Sequence, residues 1–290
     1  METLSNYIVE KLSFGSIFGN KNRPKNIKEL RKLIVEQLKE QGPDADLNFI
    51  DTSKITDMSW LFSDLKIRNI KIDKWDTSNV TKMVSMFEDC EDFNADLSAW
   101  DVSKVENMTS MFSNCHKFNS DLSKWDVSNV TSIIEMFFSC LEFESDLSAW
   151  NVSKVKNMRG LFNNCQKFNS DLSKWDVSKV ENMMSMFSWC VNFNSDLSKW
   201  NVRRVVYMGY MFYMCKNLNC DLSKWDIASA IELTSMFYGC EKLDTDLSKW
   251  DLMGVRSIDG MLDKCKSMKK KNMPDLSNIT DDAEDEDEDY

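Results

Sequence analysis

Tryptophan and cysteine, two of the rarest residue types, each recur at a fixed spacing of 25 along most of this chain. Tryptophan stands at every twenty-fifth position from Trp75 to Trp250, and cysteine does the same from Cys90 to Cys265. Two rare types kept in register over eight units dictate a repeat architecture. A unit this short cannot bury its own apolar face, so it has to stack on copies of itself. The repeat therefore overrides the two-domain prior that 290 residues would suggest.

One unit runs from Leu122 through Trp125, Val127, Val130, Ile133, Met136, Phe137 and Cys140 to Phe143. Its opening, L-x-x-W-x-V, superimposes on the strand signature of leucine-rich repeats. In the preceding unit Met108, Met111, Phe112 and Cys115 fall at offsets 0, 3, 4 and 7, the spacing of one helical face. These patterns predict an α/β fold, a right-handed solenoid with parallel strands on its concave face and short helices on its convex face. Strands about 4.8 Å apart would make nine coils a rod of about 43 Å.

The nine 25-residue coils are expected over 50–274. The first is degenerate, with Ile50 in the tryptophan place and Leu65 in the cysteine place, as suits a coil that meets a cap. Residues 1–49 form the N-terminal segment. Within it, apolar residues at helical spacing from Ile27 to Leu38, stopped by Gly42-Pro43, predict a capping helix over about 26–41. Residues 275–290 end in a run of like charge, expected to be disordered.

The unit D-L-S-x-W-D-V-S-x-V-x-x-M-x-x-M-F-x-x-C-x-x-F-N resembles the BspA-like branch of leucine-rich repeats, whose W-D-V-S-N-V-T-x-M form is found in surface proteins of mycoplasmas. The likeness spans residues 50 to about 274. It implies a solenoid, a binding role that is often adhesive, and no catalytic motif.

The net charge of −11 is concentrated in the last ten residues, which carry eight carboxylates between Asp281 and Asp289. The body is nearly balanced, so no phosphate-binding surface is expected, and nucleic acid is an unfavourable partner. No apolar run is long enough to span a membrane, and Glu2, Glu10 and Lys11 interrupt the first residues, so no signal peptide is read. The expectation is a cytoplasmic protein with reduced cysteines, a cell-surface location being the alternative.

Cysteines on one inward face behave as small hydrophobes. Stacking would bring successive ones within disulfide reach, and Cys220, out of register, is the one candidate for a reactive thiol. Tryptophan at the fourth strand position faces the core. Asp101, Asp126, Asp176, Asp226 and Asp251, with Lys124, Lys174, Lys199, Lys224 and Lys249 two residues before the tryptophan-flanking acids, read as a solvated, mutually neutralising surface. The row from Asp96 to Asp246, with Asn94, Asn119, Asn169 and Asn194, reads as turn chemistry. Calcium on stacked oxygens is the functional alternative, but there is no EF-hand loop. His116 is the single histidine, no C-x-x-C occurs and no phosphate-binding glycine loop is present. No catalytic, cofactor or metal residue is therefore nominated, and an enzyme is not expected.

One region breaks the polar pattern of the outer positions. The seventh coil carries Val206, Tyr210 and Tyr213, the eighth continues with Ile231 and Tyr238, and Tyr207, Met214 and Trp189 lie alongside. A contiguous aromatic patch of this kind usually marks an interface. The sequence thus points to a protein-binding scaffold using this patch or the concave Lys/Asp/Ser face, with self-association possible. An exported surface adhesin or structural surface protein is the alternative.

Overall fold

The computed structural model describes residues 22–277. The first 21 residues and the acidic run from Asp281 lie outside the described residues, and with them the reading of the N-terminus and the expected disorder of the tail. Helix α1, Ile27–Gln41, covers the first coil. The Asn26 side chain caps it by accepting from the Glu29 amide at 3.0 Å, and the Gly42 amide closes it on the Leu38 carbonyl at 2.9 Å. Leu30 and Ile34 are fully buried on its inner face.

The coils themselves are not α/β. Among the described residues α1 is the only α-helix, apart from a short 3-10 turn at Lys270–Asn272, and no strand forms. Neighbouring coils are joined at most junctions by isolated parallel bridges, such as Lys82 with Asn107 and Asn107 with Ser132. The expected right-handed solenoid of concave strands and convex helices is therefore wrong in its secondary structure.

The reason lies in consecutive four-residue turns. In the third coil the amides of Trp100, Val105, Met111, Cys115 and Phe118 donate to the carbonyls three residues back, at 2.9–3.2 Å. Apolar residues open and close each turn and point inward. Two turns end to end, Met108–Met111 and Phe112–Cys115, then place buried residues at offsets 0, 3, 4 and 7, the same spacing a helix gives. The backbone differs because the third residue of each turn is left-handed. Ser110 has φ of 53° and Asn114 of 60°. Every coil repeats both, ten and fourteen residues after its tryptophan position, from Trp60 and Asp64 to Gly260 and Lys264. A left-handed residue at each fourth position cannot propagate a right-handed helix.

Those turns direct alternate amides along the stack. Phe87 donates to Met111, Asp89 to Ser113, Phe112 to Met136, and so on, with four such bonds at each junction except where Ile133 would contribute the fourth. The rare residues complete the junction. Each ladder tryptophan sends its indole N–H to a carbonyl of the coil before, as Trp150 does to Leu122 at 3.0 Å. This satisfies a polar group that would otherwise be buried without a partner. Each ladder cysteine sends its thiol to a phenylalanine carbonyl of the coil before, as Cys115 does to Phe87 at 3.0 Å. Phenylalanines fill the space between, with Phe112 stacked on Phe118 at 4.0 Å and on Phe137 of the next coil at 5.7 Å.

Candidate aromatic interface

The left-handed positions decide which side chains reach the surface. Most coils fill them with Ser, Asp, Asn or Gly, residues that bear this conformation at least cost. The sixth and seventh coils instead place Trp189 (φ 61°), Tyr210 (φ 57°) and Met214 (φ 60°) there. Bulky residues in this region are outliers, each costing about 1 kcal/mol or more. Trp189 is 44% exposed and Tyr210 41%.

These side chains meet. Trp189 tilts against Tyr213 with ring centroids 5.8 Å apart, and Tyr210 flanks Tyr213 at the same distance. Tyr213 stacks on Tyr238 of the next coil at 4.9 Å and 8°. The Nζ of Lys264, in the coil after that, sits 4.7 Å from the Tyr238 ring centre and ends the row with a cation–π contact. Met214 lies over Gly239, where an added Cβ would fall 2.5 Å from the methionine sulfur. Glu232 fixes the base of the row, accepting from the Gly209 amide at 3.1 Å and the Thr234 amide at 2.9 Å.

Five residues singled out from the sequence, Trp189, Tyr210, Tyr213, Met214 and Tyr238, thus belong to one surface running over three coils. The other three do not join its rings. Val206 and Ile231 neighbour each other through the Ile231 amide on the Val206 carbonyl at 3.0 Å. Tyr207 is 41% exposed at the bridge position, and no ring pairing links it to the row among the described residues. Lys264 was missed because its place, one residue past the row's own column and one coil on, is visible only when the left-handed positions are known. Trp60, 57% exposed in the first coil, was also missed. It lies beside α1 in a shallow depression with Ile27, Lys28 and Arg31.

The remaining candidates are structural. All nine cysteines are unpaired thiols. Burial pushes Cys90 up to about 12 and Cys115 well above its usual value, so the thiols stay protonated and can donate. Cys220 is no exception, being buried and raised to about 12 by desolvation. Both aspartate rows are Asx turns, with Asp121 accepting from the Ser123 amide at 2.9 Å and Asp126 from the Ser128 amide at 3.0 Å. The lysine row acts on the first of these, Lys124 helping to hold Asp121 low after the Ser123 hydroxyl and amide. Among the described residues it does not pair with the tryptophan-flanking acids, whose one ion pair there is Arg203 to Asp226 at 3.6 Å. The asparagine row forms a ladder between coils, Asn94 accepting from the Asn119 amide at 2.8 Å. Among the described residues no three His, Cys, Asp or Glu side chains converge as metal ligands, and no helix is long and apolar enough to cross a membrane.

Comparison with known families places the sequence in one of them. The family model described as Mycoplasma protein of unknown function, DUF285, matches residues 32–143, 98–195 and 170–276. The chain belongs to this family, a repeat family of the mycoplasma type. The match does not extend to leucine-rich repeats, and the turn-built coils differ from that architecture. No curated protein and no solved structure matches the chain.

Proposed function

We propose that the chain is a non-catalytic binding module that engages a protein partner through the aromatic row Trp189–Tyr210–Tyr213–Tyr238, with Met214 and Lys264 at its edges. The observation that carries this reading is the grouping of Trp189, Tyr210 and Met214 at left-handed positions of two adjacent coils, where the remaining coils, apart from Trp60 in the first, keep small or polar residues. Bulk at those positions adds strain and leaves apolar surface in water, a cost with no return in the isolated fold. An interface supplies the return, and tryptophan and tyrosine are the residues that anchor interfaces. Membership of a family of repeat proteins is consistent with a surface or interaction role.

The proposed location is the cytoplasm. The buried thiol ladder supports this in that the fold is held without disulfides, which reducing conditions would remove.

The test is affinity capture from the source organism's lysate with the wild-type chain and with Tyr210→Asp/Tyr213→Asp. Both positions are at the surface, so the variant should keep its circular dichroism spectrum. A protein retained by the wild type and lost by the folded variant supports the reading. Equal capture by both refutes the aromatic row as the binding surface.

A further inference from the structure

The seventh coil departs from its neighbours at the foot of the aromatic row. Seven residues after the tryptophan position, Asp57, Asn107, Asn157 and Asn182 each accept from the amide two residues on, at 2.9 Å. The seventh coil has Tyr207 there, whose side chain carries no such short-armed acceptor. The Gly209 amide donates instead to Glu232 of the eighth coil, which also caps its own Thr234. Only glycine leaves room for this, since an added Cβ at 209 would overlap the Glu232 carboxylate. No other coil has glycine nine residues after its tryptophan position. A carboxylate therefore lies against the backbone between Tyr207 and Tyr210, each 41% exposed. Each of its oxygens takes one amide, and a carboxylate offers about four acceptor sites. Glu232 is only partly buried, so the remaining sites can be reached from outside.

The face around it is negative at its centre. Residues 181–189, 206–214 and 231–239, which carry the row through the sixth, seventh and eighth coils, contain two acids, Glu181 and Glu232, and no Lys or Arg. The cations at its margins have acids of their own. Arg159 of the fifth coil pairs with Glu135 at 3.0 Å, and Lys216 faces Glu241 at 4.0 Å. In the ninth coil Arg256 and Lys264 are matched in number by Asp259 and Asp263. Lys156 stands two coils from Gly209. The row also shows how it receives a cation, because the Nζ of Lys264 sits 4.7 Å from the Tyr238 ring centre.

We propose that the Glu232 carboxylate and the flanking rings of Tyr207 and Tyr210 receive an arginine side chain of the protein partner. The guanidinium donates to the free acceptor sites of Glu232 and lies on a tyrosine face. A planar guanidinium suits both surfaces, since it matches a carboxylate with parallel N–H donors and stacks on aromatic rings, whereas an ammonium does neither. The inference rests on the reading of the aromatic row as a binding surface and adds the partner's chemistry: an apolar segment with an arginine set into it. It also gives Tyr207, which stands apart from the ring row, a place in the same interface.

The test is NMR titration of the full chain with two acetylated, amidated tripeptides, Leu-Arg-Leu and Leu-citrulline-Leu. Citrulline has the shape of arginine without its charge, so the comparison needs no variant of the protein. The backbone amides of Gly209, Tyr210 and Thr234 report the site, and that of Cys115, buried in the third coil, serves as reference. The citrulline peptide should bind at least about threefold more weakly, through loss of a cation–π contact and an exposed ion pair together. The gap should narrow in 1 M salt, where charge is screened within about 3 Å. Glu232→Gln, which keeps a side-chain acceptor, should bring the two peptides closer in affinity. Equal binding of the two peptides by the wild type overturns the inference and makes the row a neutral apolar site. Absence of shifts at the three amides with either peptide overturns it as well. Neither result touches the capture experiment with Tyr210→Asp/Tyr213→Asp, which decides separately whether the row binds a partner.

Discussion

Replacing Ser85, Ser110 and Ser185 together by glycine separates turns from helix by the sign of one number. Their φ values are 50°, 53° and 56°, and none of the three hydroxyls makes a hydrogen bond among the described residues. In the left-handed conformation each serine carries a penalty of about 1–2 kcal/mol that glycine lacks. Glycine loses about 0.5–1 kcal/mol more backbone entropy on folding. The net per site lies between about zero and 1.5 kcal/mol in favour of glycine, and for three sites between about zero and 4.5 kcal/mol. Were these residues helical, each exchange would instead cost about 0.5 kcal/mol, a loss of about 1.5 kcal/mol in all. The assay is the urea unfolding midpoint at unchanged slope, which avoids assigning an absolute stability to a repeat protein. Valine at the same three positions should lower the midpoint sharply, since a β-branched residue tolerates this region worst. A midpoint lowered by glycine as far as the helical figure implies would refute the turn-built coil.

Trp150→Phe should cost about 2–4 kcal/mol, through lost packing and the Leu122 carbonyl left without its indole donor, as read from the shift in urea midpoint. Alkylation of the native protein at pH 8 should be fastest at Cys265, which is part-exposed in the last coil and raised only to about 11, while the fully buried ladder cysteines react only on unfolding. The Asx-turn carboxylates give a pH dependence of known sign. Serine hydroxyls and amides hold Asp121, Asp126 and Asp176 below the ordinary value of 3.8. Their stabilisation is complete above that value and is lost as pH falls through the depressed folded values. Thermal melts should therefore show stability dropping below about pH 4, and less steeply when Asp121 and Asp126 are replaced by Asn, which keeps the side-chain acceptor without the charge.

The sequence makes the stacking legible because stacking is a matter of period. Trp, Cys and Phe at fixed spacing can only be core, and they are buried from Trp75 to Trp250. Asp and Asn before Ser announce Asx turns, and those form in both rows. What the sequence conceals is the backbone between inward residues. Met108, Met111, Phe112 and Cys115 satisfy a helical pattern and a pair of turns equally. Glycine would have given the turns away, but only Gly160, Gly239 and Gly260 mark left-handed positions, while Ser110, Glu135, Trp189 and Lys264 hold the same conformation without it. The stack compels this, since three or four amides per junction reward a backbone that each residue alone disfavours. The aromatic patch was legible as composition at the outer positions. Its separation into a joined row and the bystanders Val206, Tyr207 and Ile231 was not, because it depends on the turn geometry.

That the aromatic row is a binding surface is tested most directly by hydroxyl-radical footprinting of the chain, free and with its captured partner. Oxidation of Trp189 and Tyr210 should fall on binding while that of Trp60, more exposed and in the first coil, stays the same. Unchanged oxidation of Trp189 and Tyr210 in the complex, with protection elsewhere on the stack, would contradict it.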